Sequence, residues 1–345
     1  MEGVLYMSKK SEYGIVLRGS EDSIRLAYRQ WAAQAIDQEV SDPEHDDGDK
    51  FQTTIKEPVS VTGPGTFFGK AQRTLTFAPG AEFGWFLERM DLSDSLPIKV
   101  SVDNVWTTVR NVVLRSGSPH NYMRMVEHIV ALKVGMGLDN IVIKSDSGDP
   151  PLFDRSSMDL VEAVEKAGIV AEKKDAVYVT VREPVTVGGP NGSFLTFLPA
   201  EQGLKKLSVD CAVDFKSAIG KQRIMFDVNK KTFRYGAQAR TNTTLLMMLY
   251  CKTIGKIFAD VRHLGYTTTN ILVAGRFWYF NKPGHVHKGK SLEAAWHRAT
   301  LDLLAAVALI DRGRFAGRII SYKAGHALDV DMIRELYRRD MLVQV

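Results

Sequence analysis

The feature that most constrains the fold is a pattern the chain contains twice. Lys56-Glu-Pro-Val-Ser-Val-Thr-Gly-Pro64 returns as Arg182-Glu-Pro-Val-Thr-Val-Gly-Gly-Pro190, and Leu75-Thr-Phe-Ala-Pro79 returns as Leu195-Thr-Phe-Leu-Pro199. Valine alternating with polar residues, a Gly/Pro turn and a second alternating run predict a strand–turn–strand unit. The two copies lie much further apart than the roughly 20–50 residues of a solenoid repeat, so they predict a domain duplication. Each copy opens its own half of the chain, with strands ahead of helices. That order predicts an α+β fold of two duplicated layered domains, each a β-sheet packed on helices. The expected division is an N-terminal arm and acidic linker over 1–50, a first domain over 51–172 and a second over 173–345.

Composition limits the class of protein. With 345 residues, 45% of them hydrophobic and 25% charged, the chain has the length of two domains, and disorder, collagen and coiled coil are excluded for the whole. Cys211 and Cys251 cannot build a disulfide framework and lie at no metal-ligand spacing, which points to a reducing compartment. Residues 1–10 lack an apolar signal core, and the apolar runs over 243–250 and 301–310 are too short to span a bilayer. The expectation is a cytoplasmic protein with at most peripheral membrane contact. The net charge of +5 is mixed along the chain and forms no basic stripe, so nucleic acid is not an expected partner.

Within this frame, Ile24, Ala27, Trp31 and Ala35 recur at helical spacing and predict a helix over 23–36. The run over 41–50 reads as a solvated acidic linker. In the first half we expect a helix over 121–134, a Gly turn at 135–137, a strand over 140–144 and a helix over 157–168 capped by Ser156 or Ser157. In the second half, strands over 207–215 and 222–228 precede helix-like runs over 243–261 and 292–310, then a strand over 317–322 and a helix over 330–338.

Three places could carry chemistry. Glu127 and His128 sit in a helix that is apolar on nearly every side, so both need partners. They are either a core pair bonded to backbone or a general base beside a metal ligand. In Trp296-His-Arg-Ala-Thr-Leu-Asp302, Leu292, Ala295, Trp296, Ala299, Leu303, Ala306 and Ile310 form one helical stripe. Arg298 and Asp302 share a flank at i,i+4, whereas His297 points about 140° away from Asp302. On a straight helix the simpler expectation is an Arg298–Asp302 ion pair. His326 follows a Gly turn and is either a general acid or a loop residue. His285 and His287 have metal-like spacing, but Lys282, Lys288 and Lys290 would repel a cation.

Taken in order, several blocks resemble the UDP-3-O-acyl-N-acetylglucosamine deacetylase family, the zinc hydrolases of lipid A biosynthesis. They are Pro58-Val-Ser-Val-Thr-Gly-Pro-Gly65, Val126-Glu-His-Ile129, Gly137-Leu-Asp-Asn140, Pro150-Pro-Leu-Phe-Asp154, Ala218-Ile-Gly-Lys-Gln222, Ala239-Arg-Thr241, Leu301-Asp302 and Tyr322-Lys-Ala-Gly-His-Ala-Leu328. The resemblance covers about 51–342 and implies two similar α+β domains. It also implies Glu127 as general base, His128 and Asp302 as zinc ligands, Thr241 near the catalytic water and His326 as the acid for the leaving amine. The implied substrate is a UDP-acyl-N-acetylglucosamine-like small molecule.

The departures cluster at the expected metal. The family places its second zinc histidine four residues before the aspartate, where this chain has Arg298, with His297 one residue off. A family lysine and a later aspartate fall at Ala299 and Ala306, a substrate-packing Phe at Asn242, and a Leu-His-Ser at Thr66-Phe67-Phe68. A guanidinium stays protonated and cannot ligate zinc. Two expectations follow. In one, Zn2+ is lost, Arg298 supplies positive charge to Asp302 and Glu127, and the chain is a catalytically degenerate homologue with a binding or regulatory role. In the other, a one-residue bulge turns His297 inward and completes the site.

Overall fold

The two repeats fold as two hairpins in the same register. In the computed structural model, which describes residues 12–41, 48–67, 71–252 and 267–345, Val59–Pro64 pairs antiparallel with Gln72–Pro79. Val185–Gly189 pairs in the same way with Ser193–Leu198. Val59 faces Phe77 and Val61 faces Leu75; Val185 faces Phe197 and Val187 faces Leu195. Equivalent residues of the two repeats therefore meet equivalent partners. Leu75, Phe77, Leu195 and Phe197 turn inward and are fully buried.

The duplication extends to sheet order. In each half a late strand, Asn140–Ser145 or Gly317–Tyr322, joins the hairpin antiparallel. The same strand runs parallel to an earlier one, Gly84–Arg89 or Leu207–Asp214. A further antiparallel strand, Ile98–Lys99 or Lys221–Asp227, completes the shared pattern. The first sheet has five strands and the second has seven. The two additional strands come from the N-terminal arm. Ile15–Arg18 runs parallel to Val185–Gly189 at one edge, and Gln38–Val40 runs parallel to Lys221–Asp227 at the other. Between them the helix Glu21–Ala32, capped by Ser20, buries Ile24, Ala27 and Trp31. It ends before Ala35, which is exposed. The centre of the acidic run, residues 42–47, lies outside the described residues, as do the end of the 243–261 run and Phe68. Asp49, beyond that centre, is ion-paired to Arg314.

Each late strand is preceded and followed by a helix. Glu127–Gly135 and Met158–Ala167 flank the first; the helix opening at Glu293 and His326–Arg338 flank the second. The Glu127 and Glu293 helices are thus topological equivalents, and they pack on each other in one core. Glycine allows close approach there: a Cβ on Gly135 would fall 2.0 Å from the Phe233 ring, and one on Gly236 would fall 2.3 Å from Thr300.

Three boundaries differ from expectation. The helix expected from 121 starts at Glu127, because Tyr122–Met123 pairs as a strand with Val113–Arg115 and Met125 adopts φ +51°. The helix expected from 330 starts at His326. The run expected to be helical from 243 begins as the strand Thr241–Thr244, paired parallel with Ile271–Ala274, before the helix Leu245–Lys252. Cys211 is a free, buried thiol. No helix among the described residues is long and apolar enough to cross a membrane.

Candidate active site

The site forms where the two equivalent helices present their N-terminal parts. Glu127 is the first residue of its helix and only 2% exposed. Its Oε1 accepts the backbone N–H of Val112, while among the described residues Oε2 has no hydrogen-bond partner. Burial pushes the Glu127 pKa up, against the pull of His326. His128 follows it. Ser157 Oγ donates to the His128 carbonyl at 2.9 Å and stands 3.3 Å from its Nδ1, with Ser156 Oγ at 3.5 Å. Ser157 occupies the expected cap position of the Met158 helix but makes no capping hydrogen bond there. Its hydroxyl is committed to His128 instead.

The second helix is not straight. It is α-helical over Glu293–His297, π-helical over Arg298–Leu303 and α-helical again over Leu304–Val307. A π-turn accommodates one extra residue, so residues five apart come to share a face. His297 Nδ1 lies 3.7 Å from Asp302 Oδ1. The His297 and His128 rings face each other with centroids 5.4 Å apart, and Thr241 Oγ1 lies 2.8 Å from His297 Nε2.

The same turn carries Arg298 away, and the expected Arg298–Asp302 ion pair does not form. Arg298 Nη2 pairs with buried Asp329, and its Nε donates to the Ala324 carbonyl at 2.9 Å. Nor does its guanidinium pair with Glu127. The side chain that meets both carboxylates is His326, the first residue of its helix. Its Nε2 lies 3.5 Å from Glu127 Oε1 and 3.7 Å from Asp302 Oδ1. Burial alone would lower the His326 pKa, but Asp302, Glu127 and Asp329 outweigh it and raise the value. Burial alone would raise Asp302, but His326, His297 and Arg298 outweigh it and keep the carboxylate ionised.

The two ring residues behave oppositely. Burial pushes His128 down to about 3, aided by His297, and burial also lowers His297. His128 keeps an accessible edge, but its ring is enclosed by His297 and the Ser156–Ser157 hydroxyls, so we take it as neutral near pH 7. Glu127, His128, Thr241, His297, Asp302 and His326 are thus brought together from four separate stretches of chain.

Among the described residues no three His, Cys, Asp or Glu side chains close on a single ion. The chemistry of the donor set nevertheless fits zinc. Two neutral imidazoles and an ionised carboxylate are the ligand types of a catalytic zinc site. Each imidazole has one nitrogen beside a hydroxyl, Ser157 for His128 and Thr241 for His297, and so keeps the other for a metal. Among the described residues, Glu127 Oε2 and His326 Nδ1 are buried without hydrogen-bond partners. His285, of the weaker cluster, instead places Nε2 2.8 Å from the Tyr235 carbonyl.

Sequence reasoning missed the supports. Arg240 Nε donates to buried Glu293 at 2.6 Å, which anchors the start of the Thr241 strand to the first turn of the second helix. Asp329, the partner of Arg298, lies one helical turn after His326, and that spacing was its only visible signal. Ser157 was visible only as a cap.

Comparison with known proteins places these residues in context. A family model described as UDP-3-O-acyl N-acetylglycosamine deacetylase matches residues 52–338. Proteins named UDP-3-O-acyl-N-acetylglucosamine deacetylase from Brucella ovis, Brucella canis and Brucella melitensis biotype 2 are each 26% identical to the chain over 287 residues. The match covers 83% of this chain and 95% of each relative.

Proposed function

The chain belongs to the UDP-3-O-acyl N-acetylglycosamine deacetylase family, and from that membership we propose that it is a zinc-dependent deacetylase that hydrolyses the N-acetyl amide of a UDP-3-O-acyl-N-acetylglucosamine in cytoplasmic lipid A biosynthesis. The observation that carries this reading is the π-turn, which sets His297 beside Asp302 and across from His128. His128, His297 and Asp302 would hold the zinc, which when bound supplies Lewis acidity at the amide carbonyl and a water acidified toward neutral pH. Glu127 is the general base: its raised pKa suits a carboxylate that takes up a proton during turnover. His326, whose pKa is raised by its two carboxylate neighbours against the effect of burial, is the group placed to deliver a proton to the departing amine. Thr241 holds the His297 ring through its hydroxyl. The helix that follows the Thr241 strand exposes Leu246, Met247 and Leu249, an apolar surface suited to an acyl chain.

The degenerate-homologue reading rests on Arg298, Ala299 and Ala306 at family positions; the π-turn supports the active reading by offering His297 in place of Arg298, while Ala299 and Ala306 still depart from the family. The test is acetate release from UDP-3-O-acyl-N-acetylglucosamine by the purified chain. We expect turnover that a chelator abolishes and added zinc restores. Zinc-loaded protein that releases no acetate would overturn the reading.

A further inference from the structure

Arg298 stands where the resemblance implies a metal ligand, and it is buried among polar groups of the neighbouring strand, loop and helix. It is 6% exposed, and its partner Asp329 is fully buried. Its guanidinium reaches three consecutive pieces of chain. Nη2 meets Ser321 Oγ at 3.5 Å, at the end of the last strand; Nε donates to the Ala324 carbonyl at 2.9 Å, in the loop; Nη2 also pairs with Asp329, in the first turn of the next helix. His326 lies between the second and third of these contacts. The Asp329 backbone belongs to the first turn of that helix, its N–H donating to Gly325 O at 3.1 Å. One side chain therefore holds the backbone just before His326 and the Asp329 side chain just after it. That side chain projects from the first residue of the π-turn, directly after His297.

We propose that the buried Arg298–Asp329 pair is a positioning device that ties the π-turn bearing His297 and Asp302 to the loop–helix junction bearing His326, and so fixes His326 against Glu127. The inference rests on the deacetylase reading for its catalytic consequence, but not for its geometry. Neither Arg298 nor Asp329 touches substrate; both act through His326. The π-turn that brings His297 beside Asp302 also carries position 298 away from Asp302 and toward Asp329.

The physical argument favours specificity over stability as the role of the pair. Two charges buried together recover little net stability, and exchanging both for apolar residues of similar size is often neutral. Arg298→Met/Asp329→Leu should therefore fold, with Asp329→Asn as a second variant that keeps the side-chain shape. The first measurement is a crystal structure of the metal-free double variant. We expect the His326 ring to leave Glu127, opening the 3.5 Å Nε2–Oε1 approach; a His326 that stays in place overturns the proposal. The second is a cycle with His326→Ala. In the zinc-loaded protein we expect the double variant to lower kcat roughly a hundredfold, the scale of one general acid, with KM and zinc content held. In the His326→Ala background the same pair of substitutions should cost nothing further. An equal loss in both backgrounds would show that the pair does not act through His326. An unmodified chain without acetate release would remove the deacetylase reading, and the crystallographic arm would still decide the clamp.

Discussion

His297 and Arg298 are neighbours in sequence with opposite roles. One turns toward His128 and Asp302, the other crosses the core to Asp329. On a straight helix their roles would be exchanged. Glu127, buried and beside His326, is the base in this account. Glu127→Gln should lower acetate release by about 10²–10⁴-fold while zinc per chain stays unchanged, as read by steady-state kinetics and elemental analysis. His128 makes a pH prediction. Its folded pKa of about 3 lies below the ordinary 6.5, so the unfolded chain takes up the proton first on acidification. The stability this group contributes is complete above pH 6.5 and is lost as pH falls toward 3, by at most about 1.4 kcal/mol per unit. Glu127, with its raised pKa, acts in the opposite sense. Metal-free His128→Gln should therefore lose less stability than the unmodified protein between pH 6.5 and 5, as measured by denaturant melts at about those pH values. A parallel decline would refute the assignment of a buried neutral imidazole. The sequence offered Glu127, His128, Thr241, His297, Asp302 and His326 as candidates for this site, and the structure brings them together. Their partners were not legible, because Asp329, Ser157 and Glu293 become meaningful only once distant segments meet.

At the scale of elements, the decisive feature is the π-turn Arg298–Leu303. Helical periodicity alone predicts the Arg298–Asp302 pair, since a regular helix puts i and i+4 together. The sequence carries no local mark of a π-turn: Ala299, Thr300 and Leu301 are all compatible with an α-helix. What stabilises the turn is tertiary, namely Arg298 drawn to Asp329 and Thr300 packed against Gly236. The turn absorbs one surplus residue, and this makes it removable. Deletion of Ala299 leaves His297 and the aspartate four apart on a regular helix, on one face. We expect that variant to keep its zinc, because the flanking helix keeps its register. Loss of zinc on deletion would mean that the π-turn itself, and not merely the facing of His297 and Asp302, builds the site. The boundaries misjudged from sequence have a similar cause. Met125 adopts a left-handed conformation that no composition rule anticipates, and the short Tyr122–Met123 strand exists only because Val113–Arg115 lies beside it.

At the scale of the whole molecule, the duplication was the most legible feature. The repeated Val-x-Val and Leu-Thr-Phe runs foretold two hairpins, and the sheet order repeats around them. The joining of the arm to both edges of the second sheet was not legible, because its strands are three and four residues long and pair with partners far along the chain. Trp31 is the anchor of that arm. Its indole N–H donates to buried Asp210 at 3.2 Å, and the Arg223 guanidinium stacks 4.2 Å from its ring. Trp31→Ala should destabilise the protein by about 3–5 kcal/mol in chemical denaturation. Zinc content should be untouched, since among the described residues the arm makes no hydrogen bond or ion pair to a proposed ligand. The duplication also explains the position of the site: two equivalent helices, one from each half, supply His128 from one side and His297 with Asp302 from the other. The central claim is that a one-residue bulge, and not a lost ligand, explains Arg298. It is tested most directly by zinc content after exhaustive dialysis, compared between the unmodified chain and His297→Ala. The account predicts a single tightly held zinc in the first and none in the second; zinc absent from both, or retained by His297→Ala, would contradict it.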